Sequence, residues 1–269
     1  MGYSLPELPK RDQNSNKGSF GKILNIAGSD YMPGAAYLSS VSALKVGAGY
    51  VELASSEKVL NIVATLAPEV VLAPLNRLED LINQATVVST GCGLSTTNTE
   101  IFEQTINLIG NKPTVIDADG LNILAKSQYK LTKNTILTPH PKEASRLLNC
   151  SLEDVLNNLK ESAKNIAQKY NSITVLKTHN TIVTDGEVFY ENHTGCSALA
   201  KAGSGDVLCG MITGLLAQNM EPFDAAVLGV YLHGLAGDIA AKDLSEYGVL
   251  ASDLLRYIPI AIKTYTCSP

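Results

Sequence analysis

Short apolar runs rich in β-branched residues alternate along this chain with segments of helical periodicity, and this alternation constrains the fold more than any other feature. Three such pairs lie in the first half of the sequence: residues 23–27 before 34–46, Val87–Thr90 before 97–109, and 114–117 before 120–124. Strands and helices in this order are typical of βαβ units around a parallel sheet. The strand candidates are almost entirely apolar, which predicts helices on both faces of the sheet.

The composition can supply the large core that such a fold needs. Hydrophobic residues make up 45% of the 269 residues and charged residues only 17%, against about 25% charged in an average soluble protein. Disorder and a coiled coil are therefore excluded. The sequence has no linker-like segment, internal repeat or low-complexity tract, so we expect a single domain over residues 1–269.

The second half of the chain continues the pattern, with a change at one edge. Residues 135–138 predict a further strand, and the amphipathic stretch 151–170 predicts a helix that begins at a capping box of Ser151 and Asp154. Residues 174–177, 181–184 and 188–190 predict three short strands, with Asp185 and Gly186 as a hairpin turn. They are explained by an antiparallel edge on a mainly parallel sheet. Helices are predicted at 206–218, 222–242 and 252–265.

Charge, hydropathy and cysteine usage exclude several classes of function. The formal net charge is −5 and no lysine or arginine stripe follows a predicted helix, so we expect no nucleic acid partner. The start is polar and no run approaches about 18 apolar residues, so we expect no membrane partner and a cytoplasmic location. The five cysteines are scattered. They predict neither a disulfide framework nor a zinc site, and we expect small apolar fillers.

The sharpest local signal is a glycine-rich turn directly before a predicted helix, formed by Gly203, Ser204, Gly205 and Asp206. Glycines there allow a tight turn whose free N–H groups point outward at the positive end of the helix dipole, an arrangement that binds phosphate. An acidic Asp206 in the first turn would equally stabilise a helix without any ligand. The pattern alone leaves anion binding and simple capping equally open.

Polar residues also follow two of the strand candidates. Asp117, Asp119 and Asn122 lie at the end of one strand and the start of its helix, where open α/β sheets bind ligands. Carboxylates there suit Mg²⁺ with its waters. Helix capping, with Asp119 as the N-cap, is the alternative, and it is favoured for Asn122. His140 lies between two prolines, so its imidazole either contacts a bound ring or hydroxyl group or belongs to a surface loop.

A polar turn between two strands is a further candidate; it comprises Lys177, Thr178, His179, Asn180 and Thr181. Its ammonium, hydroxyl and amide groups suit a nucleotide phosphate or ribose, although the pattern alone favours a plain β-turn. Two better known phosphate motifs are incomplete. Asn16 stands where a P-loop needs its first glycine, and Thr96 stands where a dinucleotide fingerprint needs a small residue. A P-loop NTPase and a simple Rossmann dehydrogenase are therefore disfavoured.

Taken together and in order, these segments resemble the ADP-dependent NAD(P)H-hydrate dehydratase family, a branch of the ribokinase-like fold. The resemblance runs from Lys17 to about Ser252. Its motifs in this sequence are Lys17-Gly18-Ser19-Phe20-Gly21, Ala27-Gly28-Ser29, Met32-Pro33-Gly34-Ala35-Ala36, Asp117-Ala118-Asp119, Thr138-Pro139-His140-Pro141 with Glu143, Leu199-Ala200 and Gly203-Ser204-Gly205-Asp206. The last motif alone indicates only the wider kinase-like group, whereas the ordered set is much more specific.

The resemblance implies a three-layer α/β/α domain that repairs NADH or NADPH after water has added at C6 of the nicotinamide ring. In that family ADP, with Mg²⁺ on its diphosphate, phosphorylates the hydroxyl group of the (6S)-hydrate. Loss of phosphate then regenerates the reduced cofactor and leaves AMP and phosphate. Both ADP and ATP, and both NADH hydrate and NADPH hydrate, stay open as substrates.

The matching positions imply a role for each site residue. Contacts with the hydrate are implied for Ala36, Gly93, His140 and Asp206, with Asp206 as the base for the substrate hydroxyl group. Contacts with the nucleotide are implied for Lys177, Thr178, His179, Asn180, Thr181, Gly203, Ser204 and Gly205. Mg²⁺ binding through water is implied for Asp117, Asp119 and Glu143.

The sequence departs from the family pattern at four positions, where the family commonly has other residues: Thr178 and Lys142 (glycine), Cys92 (proline) and Cys196 (asparagine). These departures bear on affinity and nucleotide choice more than on the class of reaction.

Too few residues precede Lys17 for the epimerase domain that some relatives carry, so we expect a separate epimerase as a partner in the pathway.

Two other functions remain open on the sequence alone. A kinase for a vitamin precursor or sugar would use the same anion-binding turn and the same Asp206. A nucleotide-binding regulator without turnover is the second, and the intact acidic residue argues against it.

We also expect a homo-oligomer, although the apolar face around Leu228, Tyr231, Leu232 and Leu235 is better explained as core than as a subunit contact.

Overall fold

The computed structural model of the chain describes residues 3–267, which include one nine-stranded sheet. The strands are β1 (Lys22–Ile26), β2 (Tyr50–Ser55), β3 (Val71–Pro74), β4 (Val87–Thr90), β5 (Thr114–Ile116), β6 (Thr135–Leu137), β7 (Ile173–Leu176), β8 (Ile182–Thr184) and β9 (Phe189–Glu191). Their order across the sheet is β3-β2-β1-β4-β5-β6-β7-β8-β9. Neighbours from β3 to β7 pair in parallel, and β8 is antiparallel to both β7 and β9. The predicted mainly parallel sheet with an antiparallel edge is confirmed.

Helices cover both faces of the sheet. They are α1 (Pro33–Lys45), α2 (Glu57–Leu66), α3 (Leu78–Gln84), α4 (Thr99–Leu108), α5 (Asp119–Leu124), α6 (Pro141–Leu148), α7 (Leu152–Asn157), α8 (Leu159–Tyr170), α9 (Ser204–Ala217), α10 (Pro222–Gly248) and α11 (Ala251–Thr266). Successive strand residues point to opposite faces. Val115 and Ile136 pack in one apolar cluster with α1, α2, α9, α10 and α11, whereas Ile116 and Leu137 pack in a second cluster with α3 to α8. The fold is therefore a three-layer α/β/α arrangement.

The helix predicted at 151–170 is interrupted. Asn158 has φ −138° and ψ 52° between α7 and α8, and its Nδ2 donates to the carbonyl oxygen of Asp154 at 3.2 Å. This local side-chain hydrogen bond competes with the helical pattern and accounts for the break. The predicted capping box of Ser151 and Asp154 is confirmed at the start of α7. Residues 47–86 and 141–148, for which the sequence patterns predict no element, contain β2, α2, β3, α3 and α6.

The five cysteines are free thiols in different environments. Cys92 and Cys209 are buried, as expected of small apolar fillers. The same expectation is wrong for Cys150 and Cys267, which are exposed, because each follows or ends a surface helix rather than entering a core cluster. Cys196 is half-buried.

The long helix α10 belongs to the core. Its length and composition pass the test for a membrane-spanning helix, but 67% of its most apolar window is buried within the protein. Leu228 and Leu232 are completely buried, and Tyr231 and Leu235 are partly buried against the same cluster. The face around these residues is therefore core, as favoured from the sequence.

The strand order creates a crevice at the carboxyl ends of the parallel strands. After β1 the chain passes to β2 and β3 on one side and then returns to β4 on the other side of β1. The loops that leave β1 and β4 therefore run in opposite directions, and open α/β sheets bind ligands in the crevice at the carboxyl ends of such strands.

Candidate active site

The loops that follow β1, β4 and β5 form the floor of this crevice. The N–H of Gly28 donates to the carbonyl oxygen of Cys92 at 2.8 Å, and the N–H of Asp117 donates to that of Thr90 at 3.1 Å. Gly91 has a φ of +113°, and an added Cβ would lie 2.0 Å from the carbonyl oxygen of Asp117. Only glycine therefore allows these loops to approach so closely. The contacts hold Asp117 at the floor of the crevice.

Lys177 extends from the end of β7 to the same floor. Its Nζ lies 2.6 Å from Oδ1 of Asp117, and its N–H donates to the carbonyl oxygen of Pro139 at 2.8 Å. Burial acts to lower the pKa of Lys177, but the charges of Asp117 and Glu143 raise the pKa above its usual value. Lys177 is therefore a permanent cation in the crevice.

The predicted glycine turn lies directly beside this ion pair. Helix α9 begins at Ser204, after Gly203 with a φ of +92°. An added Cβ on Gly205 would lie 3.4 Å from Nζ of Lys177 and 3.8 Å from Oδ2 of Asp117, so the backbone of the turn faces the cation. Within residues 3–267, the N–H groups of Gly205 and Asp206 have no hydrogen-bond acceptor. Free N–H groups at a helix N-terminus fit an anion-binding turn.

Ser204 faces away from this anion-binding side. Its N–H donates to the carbonyl oxygen of Lys201 at 3.2 Å. Its hydroxyl oxygen and carbonyl oxygen lie 3.2 Å and 3.1 Å from Nε2 of His233. The expectation that the N–H groups of the whole turn are free is therefore wrong for Ser204, and its contact with a nucleotide stays a prediction.

His233 is a supporting residue that is not among the site residues predicted from the sequence. It lies on α10 behind the glycine turn, and burial lowers its pKa to about 4. The ring is therefore neutral at physiological pH and holds the first residue of α9 through the two contacts with Ser204. A single histidine within an apolar helical stretch was its only signal in the sequence.

Asp206 lies in the first turn of α9, among the charged groups of the crevice. Burial, and after it the charge of Asp117, raise the pKa of Asp206 to about 6. The carboxylate is therefore ionised at neutral pH but accepts a proton more readily than an exposed aspartate would. This is the property that a general base requires.

His140 and Glu143 lie at the start of α6 and form a capping box. Nδ1 of His140 accepts from the N–H groups of Lys142 and Glu143 at 3.1 and 3.2 Å, and Oε2 of Glu143 accepts from the N–H of His140 at 2.9 Å. Burial, and after it the charge of Lys177, lower the pKa of His140. A neutral ring whose Nδ1 is an acceptor carries its proton on Nε2. Nε2 lies 3.4 Å from Oε1 of Glu143, and the side chain of His140 is 47% exposed, so the ring is accessible to a ligand.

Ala36 and Gly93 belong to two segments that pack against each other, the start of α1 and the loop after β4. Gly93 has a φ of +60°, and an added Cβ would lie 2.7 Å from Cβ of Ala35. The loop after β4 therefore packs directly on the start of α1. Ala36 and Gly93 are both buried, and their contact with a hydrate stays a prediction.

The polar turn after β7 borders a surface cavity. The hydroxyl group of Thr178 donates to the carbonyl oxygen of Asn180 at 2.8 Å, and that of Thr181 donates to the carbonyl oxygen of Thr178 at 3.2 Å. Thr178, His179 and Asn180 line a cavity of about 640 Å³ together with residues 156–161. Cavities of this size hold small organic ligands, so there is room for a nucleoside beside this turn.

Two helix-capping alternatives from the sequence are wrong. Asp119 is the first residue of α5, whose N-cap is Ala118, and Oδ2 of Asp119 accepts from the N–H of Ser95 at 2.8 Å. Asn122 lies inside α5, and its Oδ1 accepts from Arg146 at 2.6 Å. Both side chains join separate segments because the loop after β4 and helix α6 pack against α5.

The three carboxylates predicted to bind Mg²⁺ do not converge on one point. Asp117 is held by Lys177, Asp119 by the backbone of the loop after β4, and Glu143 by the start of α6. In the described part of the chain, they do not place one ligand atom each within 4.8 Å of one another. This donor set fits an ion that keeps several of its waters, as Mg²⁺ does.

The geometry of Gly205 predicts the effect of adding one methyl group. We expect Gly205→Ala to weaken nucleotide binding about tenfold, roughly 1.4 kcal/mol, because the methyl group would occupy the space in front of the free N–H groups. The contacts at 3.4 and 3.8 Å are tolerable, so thermal stability should change little. Calorimetric titration with ADP measures the affinity. Gly248→Ala, whose added Cβ meets only the Ser245 hydroxyl at 3.6 Å, is the matched control; equal affinities would contradict the assignment.

The sheet order, the glycine turn at the start of α9 and the buried aspartate beside it define a ribokinase-like α/β protein. A ribokinase-like superfamily protein of Enterococcus faecalis has the same fold, with a TM-score of 0.89 and 26% identity over 96% of this chain and 92% of that chain. The chain belongs to the NAD(P)H-hydrate dehydratase family, whose sequence profile matches residues 23–260. The resemblance based on the motifs is confirmed.

Two relatives differ in the share of their own length that this chain covers. The bifunctional NAD(P)H-hydrate repair enzyme of Coxiella burnetii is 37% identical over 96% of this chain and 54% of its own length. The chain spans about half the length of this and two further curated relatives. The ADP-dependent (S)-NAD(P)H-hydrate dehydratase of Bacillus subtilis is 34% identical over 96% of this chain and 95% of its own. A crystal structure of the Bacillus subtilis ADP/ATP-dependent enzyme, co-crystallised with ATP and Mg²⁺, has a TM-score of 0.87 and 32% identity, covering 96% of this chain and 94% of that chain.

Proposed function

We propose that this chain is an ADP-dependent NAD(P)H-hydrate dehydratase, which converts (6S)-NAD(P)H hydrate to NAD(P)H and releases AMP and phosphate. One observation carries the proposal. Asp206, with the pKa of a general base, lies in the same helical turn as the free N–H group of Gly205, and Lys177 adjoins that turn. Family membership and the names of the relatives support the same reaction.

The reaction divides into a transfer and an elimination. Asp206 accepts the proton of the C6 hydroxyl group, the hydroxyl oxygen attacks the β-phosphorus of ADP, and the bond to the α-phosphate oxygen breaks to release AMP. The phosphorylated intermediate then loses phosphate and a proton from the neighbouring ring carbon, which restores NAD(P)H. The N–H groups of Gly205 and Asp206 and the ammonium of Lys177 stabilise charge on the phosphoryl group, about 3–4 kcal/mol for a key donor.

Mg²⁺ belongs to the same proposal. Asp117, Asp119 and Glu143 would hold it through waters, and when bound it supplies charge neutralisation at the nucleotide phosphates. The co-crystallisation of the Bacillus subtilis relative with ATP and Mg²⁺ supports this pairing. The Coxiella burnetii relative is named a bifunctional repair enzyme. We propose that a separate epimerase of the hydrate acts together with this protein.

A spectrophotometric assay tests the proposed reaction. The protein is mixed with NADPH hydrate, Mg²⁺ and either ADP or ATP, and the recovery of the absorbance of the reduced nicotinamide is followed. We expect recovery with a nucleotide and none without it. A kinase would instead leave a stable phosphorylated product without recovery of absorbance, and that outcome would contradict the dehydratase assignment.

The environment of Asp206 predicts the pH dependence of turnover. Because its pKa is raised to about 6, the ionised base is lost as the pH falls through that value. We expect kcat/KM to fall about tenfold per pH unit below it. Glu143, with a pKa raised to about 7 chiefly by burial, is the other group that titrates nearby, so Glu143→Gln is the control variant. A profile that stays flat down to about pH 5, or that loses its acidic limb in Glu143→Gln, would contradict the role of Asp206.

A further inference from the structure

Two cysteines and an aspartate meet beneath the glycine turn, and the proposed reaction leaves both thiols unused. Cys92 comes from the loop after β4, Cys209 from α9, and Asp117 from the end of β5. Their side chains are all buried, and one ligand atom of each lies within 4.8 Å of the other two. Sγ of Cys92 lies 3.9 Å from Oδ2 of Asp117. Three separate segments therefore converge on one point in the floor of the crevice.

The donor set has the chemistry of a thiophilic metal site. Thiolate sulfur and carboxylate oxygen are both ligands of Zn²⁺, with bonds of about 2.3 Å and 2.1 Å. Tetrahedral coordination at these lengths separates the donor atoms by roughly 3.6–3.8 Å. The donors present here would need to move by about 1 Å or less, which side-chain rotation provides. A hard cation such as Mg²⁺ does not favour sulfur ligands.

The electrostatic surroundings also suit such an ion. Asp117 uses Oδ1 for Lys177, at 2.6 Å, and presents Oδ2 to Cys92, so it can bind an ion without releasing the lysine. Two thiolates and one carboxylate around a divalent cation leave a single negative charge. The ammonium of Lys177 balances this charge, which reduces the energetic cost of burying the site.

We infer that Cys92, Cys209 and Asp117 form an inhibitory binding site for a thiophilic divalent cation, Zn²⁺ or Cd²⁺. Asp206 precedes Cys209 by three residues on α9 and therefore lies on the same face of the helix as this proposed ligand. A cation at this point attracts the carboxylate of Asp206 and draws it away from the substrate hydroxyl group. The binding does not depend on the proposed reaction, whereas the inhibition rests on it.

Cadmium is a suitable probe because Cd²⁺–thiolate bonds give an ultraviolet charge-transfer band. The starting protein is the full chain with the other three cysteines replaced: Cys150→Ala, Cys196→Ala and Cys267→Ala. A phosphine reductant keeps the remaining thiols reduced, so a disulfide between them does not interfere. We expect one Cd²⁺ per chain, a charge-transfer band on its addition, and loss of the band when Zn²⁺ competes.

Removing either remaining thiol then tests the site. We expect Cys209→Ala and Cys92→Ala each to weaken Cd²⁺ binding at least about tenfold, with circular dichroism showing that the chain is folded. Cys209→Ser and Cys92→Ser, which keep the side-chain size, replace any alanine variant that does not fold. An absent band in the starting protein, or undiminished binding after either thiol is lost, would overturn the inference.

An assay of turnover tests whether the bound cation inhibits the enzyme, which the binding measurements do not show. In the starting protein with excess Mg²⁺, we expect Cd²⁺ to abolish NADPH recovery, and a chelator selective for thiophilic ions to restore it. Stoichiometric binding with unchanged turnover would overturn the inhibitory role. An absence of turnover in the metal-free protein would instead contradict the proposed function and leave the binding result standing.

Discussion

Asp206→Asn is expected to lower the rate of NADPH hydrate dehydration by about 10²- to 10⁴-fold. The amide has nearly the same shape as the carboxylate but does not accept the hydroxyl proton. Because the backbone N–H groups of the turn are unchanged, ADP should still bind. The rate is measured from the recovery of nicotinamide absorbance, and ADP affinity by calorimetric titration.

A matched substitution shows whether the loss belongs to Asp206 itself. Asp30→Asn removes the same charge from an exposed residue whose Oδ1 only accepts from Ser56. We expect Asp30→Asn to retain near-normal turnover. Unchanged turnover in Asp206→Asn would remove Asp206 as the base, and loss of ADP binding together with turnover would indicate a damaged fold.

Lys177→Met is expected to reduce the free energy of unfolding by about 3–5 kcal/mol, because it leaves the charge of Asp117 buried without its partner. Asp117 is 2% exposed and its Oδ1 lies 2.6 Å from Nζ of Lys177. The raised pKa of Lys177 means that the stabilisation is complete below the unfolded-state pKa, about 10.4, and is lost as the pH rises through the folded-state value. Denaturant unfolding near neutral pH measures the effect.

A second substitution separates this stability effect from ligand binding. In the double variant Lys177→Met with Asp117→Asn, the charge of Asp117 is no longer left buried without its partner, so we expect most of the lost stability to return. Nucleotide binding should stay weak, because the cation beside the glycine turn is still missing. A loss below about 1 kcal/mol in Lys177→Met, or no recovery in the double variant, would show that the pair does not behave as a buried ion pair.

Much of the site could be predicted because its signals are local in the sequence. Gly203 and Gly205 precede an amphipathic helix, and Asp117 follows an apolar strand, so each indicates its own turn or strand end. Alternating strands and helices then place all carboxyl ends of the parallel strands at one edge of the sheet. The position of Asp206 in the crevice follows from these two facts together.

The remaining features depend on partners that are distant in the sequence. Lys177 and Asp117 are 60 residues apart, and His233 and Ser204 are 29 residues apart. Hydrophobic periodicity along the sequence does not indicate which side chains from distant segments come into contact. The direction of Ser204 away from the free N–H groups, and the burial of Cys92 beside Asp117, likewise depend on how α9 and α10 pack. Patterns in one sequence indicate elements, whereas these properties arise from contacts between elements.

The site is assembled from loops that follow different strands, and this separation has a consequence for how its specificity can change. The turn after β7 borders the cavity suited to a nucleoside, whereas the loops after β4 and β6 carry Gly93 and His140. Because the cavity suited to a nucleoside and the residues predicted to contact the hydrate lie on different loops, mutations in these loops can alter the acceptor while the phosphate donor is retained. Exchanging only the β4 and β6 loops is therefore a practical route for directing this scaffold toward other hydroxylated metabolites.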